Sequence, residues 1–228
     1  MPFVLTNDQT TFMRMMDDIL QPFINNFINT HPRINRELYQ RLRWSYDSLP
    51  DANLKNCFLY CAMLSEDAAV LVEMMVQIWI SEGLVKAKED VDYDYVLKTG
   101  ESYVKLLENR CLFQVKGDVI TVHDVVHDMA IYIGENEENC VLRASQSLQH
   151  FPDIPASDNC RRISVSCNDI KSLPTELRCP NLVSLFMGEN MGLKEIPEAF
   201  FLNLTSLRVL NISDISIQSF PSSLWQLT

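Results

Sequence analysis

Nowhere does the sequence contain G-x-x-x-x-G-K-[ST], the loop whose backbone N–H groups and lysine cradle phosphates. A run of lysine or arginine is missing too. Nineteen basic residues stand against 30 acidic ones, a net charge of −11, whereas a nucleic-acid backbone demands a concentrated basic face. Nucleic acid is therefore not an expected partner. No basic flank and apolar core open the chain at "MPFVLTNDQT", so no signal peptide is expected. The longest membrane candidate, "AAVLVEMMVQIWI", carries Glu73 and Gln77 and is shorter than the roughly 18 uncharged residues a span needs. The seven cysteines lack metal-type spacing, with Cys57 and Cys61 one helical turn apart. Free thiols in a reducing compartment are expected, and the cytoplasm is the expected location.

What is present suffices for packed domains. Of 228 residues, 47% are apolar and 21% charged, which allows one large domain or two small ones. Residues 36–134 read as helices with one hairpin. "RELYQRLRWSYDSLP" places Leu38, Leu42, Ser45 and Leu49 near one stripe that Pro50 ends. "NLKNCFLYCAML" repeats the pattern with Leu54, Phe58, Cys61 and Ala62. In "VEMMVQIWISEGL", Met75, Ile78, Trp79 and Glu82 share helical spacing and Gly83 suits a C-cap. A fourth helix takes Tyr95, Val104 and Leu107 as its core face. "CLFQV" and "VITV" then flank Lys116-Gly117-Asp118 as a β-hairpin. Asp124 opens a helix as N-cap or first-turn acid, with Val126, Met129, Ala130 and Ile133 on its apolar stripe. Helices, a two-stranded wing and a helix make a winged-helix layout.

Residues 135–159 are acidic and loop-like ("ENEEN", "FPDIPASDN") and read as a connector. From 160 to 228 the texture repeats. "CRRISVSCNDIKSLPTEL", "LVSLFMGENMGLKEIPEAF" and "LRVLNISDISIQSFPSSL" align on Ile163, Leu185 and Leu210, in steps of 22 and then 25 residues. Each ends on an apolar-proline pair: Leu173-Pro174, Ile196-Pro197 and Phe220-Pro221. Those periods fit leucine-rich repeats. Asn168 and Asn190 occupy a slot where a buried amide can satisfy the adjoining turn, and Ile215 replaces them in the third repeat. The expected fold class is α+β, a helical winged-helix domain followed by a short leucine-rich-repeat solenoid. The last repeat stops at "SSLWQLT" without a polar cap, so a longer parent or a truncated product is expected.

The stretch "VITVHDVVHDMAIYI" holds two of the four histidines, His123 and His127. As a zinc site it would resemble H-E-x-x-H, yet Asp124 is a methylene short of the general base and no third ligand stands out. A solvated His127 and a partly buried His123 at a strand–helix junction are expected. A helix N-terminus with free N–H groups attracts phosphate, where an imidazole adds a charge-assisted bond worth about 1.5–3 kcal/mol.

"LRWSYDSLPDANLKNCFLYCAMLSED", "IWISEGLV", "LLENRCLFQV" and "VHDVVHDMA" together resemble the winged-helix part of the nucleotide-binding module in plant intracellular immune receptors. These are the nucleotide-binding leucine-rich-repeat disease-resistance proteins. "CRRISV" followed by "SLPTEL" resembles that family's first repeats, and the likeness runs from about Arg36 to the end. It implies a Met-His-Asp motif at Val122, His123 and Asp124. His123 would then contact the β-phosphate of ADP, while Asp124 orients the junction or caps the helix. The full-length family exchanges ADP for ATP on an upstream nucleotide-binding core, and its repeats hold the switch shut and sense a pathogen effector or a guarded host protein. Lacking the phosphate loop and the family's Gly-Leu-Pro segment, this chain is expected to bind no nucleotide alone and to be no enzyme. Residues 1–35 match nothing in that pattern. A stand-alone repeat module, acting as decoy or adaptor without a nucleotide role, is the alternative reading.

Overall fold

The computed structural model describes residues 42–85, 92–154 and 159–227. The unassigned segment 1–35, His31, the stripe position Leu38 and the middle of the connector at 155–158 lie outside them.

Helix α1 (Ala52–Leu59) starts where Pro50-Asp51 breaks the preceding helical turn, because the Asp51 carboxylate accepts from the Leu54 N–H at 2.8 Å. Such a cap satisfies one orphan donor of the first turn. A 3-10 turn (Tyr60–Met63) continues it, and Leu54, Phe58, Cys61 and Ala62 are buried as their spacing predicts. Helix α2 (Val72–Glu82) ends at Gly83, which takes φ +87° so that its N–H can return to the Ile80 and Trp79 carbonyls. Glycine is the residue that adopts this left-handed cap without strain. Helix α3 (Tyr93–Asn109) buries Val96, Gly100, Val104 and Leu107. The expected core residue Tyr95 is instead 56% exposed. The stripe runs one position later, and at Gly100 the absent side chain lets Val76 of α2 press against the α3 backbone.

Strands β1 (Val70–Leu71), β2 (Gln114–Lys116) and β3 (Val119–Thr121) form an antiparallel sheet ordered β1-β3-β2. Lys116 pairs with Val119, leaving Gly117-Asp118 as the two-residue turn with Gly117 at φ +64°. The hairpin is as the sequence predicts. Strand β1 adds a third member that two residues were too few to signal. Helix α4 (Asp124–Glu137) follows, burying Val126, Met129, Ala130 and Ile133.

Strands β4 (Cys140–Leu142), β5 (Arg162–Ser164), β6 (Ser184–Phe186) and β7 (Val209–Asn211) pair in parallel in chain order. Ile163, Leu185 and Leu210 sit in one register row. Strand β4 falls inside the stretch expected to be a connector, and α4 runs on through its acidic start. The charges of "ENE" occupy the last turn of a helix, and Glu135 accepts from the Leu142 N–H and pairs with Arg143. Asn168 and Asn190 are buried. The Asn168 side-chain oxygen accepts from the Gln146 and Leu148 N–H groups, both at 2.9 Å, while its amide donates to three carbonyls. Asn190 does the same for Ile170 and the Val165 carbonyl. No helix among the described residues is long and apolar enough to cross a membrane.

The two faces of the parallel sheet serve different cores. Ile163, Val165, Leu185 and Met187 pack with Phe200, Phe201 and Leu204 on the repeat side. Phe186 and Val209 point the other way, into the core of the helices and wing.

A Cβ at Gly100 would meet Val76 Cγ1 at 2.3 Å. Gly100→Ala improves helix propensity by up to about 1 kcal/mol, yet overpacking costs about 1–3 kcal/mol. A lower urea midpoint at unchanged m-value is expected, and a rise would refute the close approach.

Candidate functional site

The Val-His-Asp segment lies where β3 ends and α4 begins. His123 is the N-cap, in extended conformation (φ −72°, ψ 139°), and its carbonyl accepts the Val126 and His127 N–H groups at 2.8 and 2.9 Å. Its Nδ1 accepts from the Val125 N–H at 3.4 Å, a long, weak bond. In a neutral imidazole an accepting Nδ1 places the proton on Nε2. The partly exposed ring thus offers a donor beside the free N–H groups of the helix end. Asp124 is exposed in the first helical turn and does not cap. Its charge complements the helix dipole. Val122 packs against the core from partial burial.

His127 departs from expectation. It is 5% exposed, and its Nε2 lies 3.2 Å from the Leu64 carbonyl, beyond the 3-10 turn. Its position i+4 from His123 turns it inward with Val126 and Ala130, where the hydrogen bond satisfies the buried ring. One histidine faces out while its neighbour fastens the helix to the turn before it. Burial holds the neighbouring Asp128 carboxyl above its ordinary range; His127 opposes this, and repulsion from Asp124 adds a smaller push upward. Among the described residues no three His, Cys, Asp or Glu side chains are grouped to hold a metal, and all seven cysteines are free.

A second constellation joins the two cores. Glu82, in the last turn of α2, and Arg162, in β5, form an ion pair whose side chains are 1% and 2% exposed. Arg162 grips the carboxylate with Nη2 and with Nε, the latter at 3.1 Å, and donates from Nη1 to Asn56 at 2.9 Å. The Tyr60 hydroxyl donates to the same carboxylate and lies 2.6 Å from the Ser184 hydroxyl, which reaches Glu82 at 3.2 Å. The guanidinium also stacks over the Tyr60 ring at 5.1 Å. Burial and then the Glu82 charge push the Tyr60 phenol far above its ordinary range, so it stays a donor. Burial disfavours the Arg162 charge, but Glu82 more than offsets this and holds the guanidinium protonated. Beside this cluster Ser164 donates to the Met63 carbonyl at 2.5 Å, and Arg208 donates to the Glu82 carbonyl at 3.2 Å. Helical spacing alone puts Glu82 on an apolar stripe and leaves its charge unaccounted for. A lone carboxylate in that place calls for a buried cation, and the second arginine of "CRRISV" supplies it.

The Disease resistance protein Winged helix domain family matches residues 63–130, from the end of the 3-10 turn to the middle of α4. The chain is 32% identical over 202 residues to disease resistance protein RFL1 of Arabidopsis thaliana, covering 84% of this chain and 22% of that protein. It is 31% identical to disease resistance protein RPS5 of the same plant, covering 84% and 25%. To disease resistance protein UNI it is 35% identical, covering 75% and 20%. The chain thus spans between a fifth and a quarter of these relatives' length.

Removing one partner of a buried ion pair leaves an uncompensated charge and costs about 3–5 kcal/mol, whereas an apolar replacement of both is often tolerated. Arg162→Met alone is expected to lose stability in that range by urea denaturation. The double variant Glu82→Leu/Arg162→Met is expected to recover most of the loss, and additive losses would deny the pairing.

Proposed function

The chain belongs to the plant disease resistance proteins, and from that premise we propose that it is the regulatory portion of an intracellular immune receptor. Its winged helix senses ADP held by an upstream nucleotide-binding core. The observation that carries this is the N-cap of α4. The helix end takes Nδ1 of His123, leaving Nε2–H as the donor for a β-phosphate, and the helix dipole favours the anion at the same spot. ADP and ATP are the cofactors of the whole receptor. The upstream core supplies the phosphate loop, so this chain alone binds neither and catalyses nothing.

The parallel strands are the start of a leucine-rich-repeat solenoid. Support comes from one strand per 22 and 25 residues in matched register and from the buried Asn168 and Asn190 at the turns. In this reading the repeats sense a pathogen effector or a guarded host protein in the cytoplasm. Their first strands, held on the winged helix through Glu82 and Arg162, convey the signal. A ligand biases such a switch only by its affinity difference between states. Losing one charge-assisted bond, about 1.5–3 kcal/mol, moves the closed-to-open ratio by roughly one to two decades.

In a full-length receptor carrying this segment, His123→Ala is expected to speed ADP release and to trigger cell-death signalling without a pathogen. Asp124→Val, which removes the first-turn charge, is expected to signal as well. A His123→Ala receptor that keeps its ADP and stays silent would show that the imidazole has no such role. The same outcome would favour a repeat module working without nucleotide.

A further inference from the structure

We propose that the groove at the entrance of the parallel strands is a binding site for a small, multiply charged phosphorylated anion, separate from the nucleotide contact at His123. The groove has a volume of about 630 Å³, within the range of roughly 300–1,000 Å³ typical of small-molecule sites. Its floor follows from strand register. Arg162 pairs with Cys140 on one side and with Ser184, then Val209, on the other. The residues one step earlier therefore also line up across four strands: Asn139, Arg161, Val183 and Arg208. Backbone bonds link them in that order, Arg161 N–H to Asn139 at 3.3 Å, Val183 N–H to Arg161 at 2.8 Å and Arg208 N–H to Val183 at 2.9 Å. All four line the groove, and Asn181 and Ser206, two residues before Val183 and Arg208, line it as well.

Two arginines in one row, two strands apart, have Cα atoms about 10 Å apart. That separation lets two guanidinium groups converge on a single anion. Arg161 is exposed and makes no side-chain hydrogen bond or ion pair among the described residues. Arg208 spends one donor on the Glu82 carbonyl, which fixes its stem and leaves further N–H groups. Among the described residues lining the groove the one acidic side chain is Glu82, whose carboxylate is already neutralised by Arg162. In a chain of net charge −11 this is a local positive site. The guanidinium fork matches phosphate oxygens in pairs, and the Asn139 amide and the Ser206 hydroxyl, both in the lining, can hydrogen-bond the rest of a phosphorylated molecule. A polar lining of this kind suits a compact anion better than a peptide, which would need apolar pockets for its side chains.

Asn139 follows the C-terminal end of α4, whereas His123 caps its start. At 14 residues the helix separates the two places by about 20 Å. The groove therefore stands or falls independently of the nucleotide reading.

The test is titration of the full 228-residue chain with sodium pyrophosphate by calorimetry, at two salt concentrations. Saturable one-to-one binding that weakens with salt is expected. Arg161→Ala should weaken it about tenfold or more, as loss of a charge-assisted bond predicts, and Arg161→Lys should weaken it less. His123→Ala should leave it unchanged. Arg161 makes no described side-chain bond, so its substitution spares the fold, and an unaltered thermal midpoint checks this. Absence of saturable binding overturns the proposal. So does an Arg161→Ala chain that binds as wild type, or a His123→Ala chain that loses binding. Equal affinity for a hexaglutamate peptide would reassign the groove to a protein partner and overturn the small-anion class.

Discussion

Placing one carboxylate where no water reaches constrains much else. Glu82 closes α2, and its charge is tolerable only because Arg162 arrives from a strand eighty residues later with both donors aligned. A buried pair of this kind adds little net stability over an apolar pair; what it fixes is position. Tyr60, Asn56 and Ser184 must stand at hydrogen-bonding distance for the remaining lone pairs and protons to be satisfied. The 3-10 turn, the end of α2 and the first repeat strands are therefore mutually registered. Arg208, bound to the Glu82 carbonyl, carries the same registration to β7.

Helices announce themselves through stripes three and four residues apart; for α1 and α4 the stripe residues are all buried, whereas on α2 Met75, Trp79 and Glu82 are buried, Ile78 is half-buried and Val76 joins them. Gly83 and Gly117 were legible because their positive φ belongs to a known cap and a known turn. Tyr95 misled because aromatic bulk looks like core, while the true contact is the missing side chain of Gly100, an absence that spacing alone does not weigh. Strand β4 escaped because three residues with an acidic neighbourhood read as loop; its partner strand, not its own sequence, makes it a strand.

The site shows the same division. His123 was legible because the hairpin and the helix stripe leave it only one place, the junction between them. His127 is buried where a solvated ring is expected. Its neighbours Val126 and Ala130 predicted burial for that face, but a histidine there needed a carbonyl partner, and Leu64 lies 63 residues away in sequence. The pairing of Glu82 with Arg162 was invisible for the same reason. Periodicity reports which face is buried and is silent on what meets it. The family match over residues 63–130 covers the junction and Glu82, and it stops short of Arg162.

Strand β6 is buried along all three of its residues. Ser184 touches the charge cluster, Leu185 fills the repeat core and Phe186 lies against Tyr60 with ring centres 6.2 Å apart. A party wall of this sort has no street side. Nothing on β6 is available to greet a visitor, so discrimination between visitors must be exercised by the turns that flank it. A change of residue there would be felt in both rooms at once.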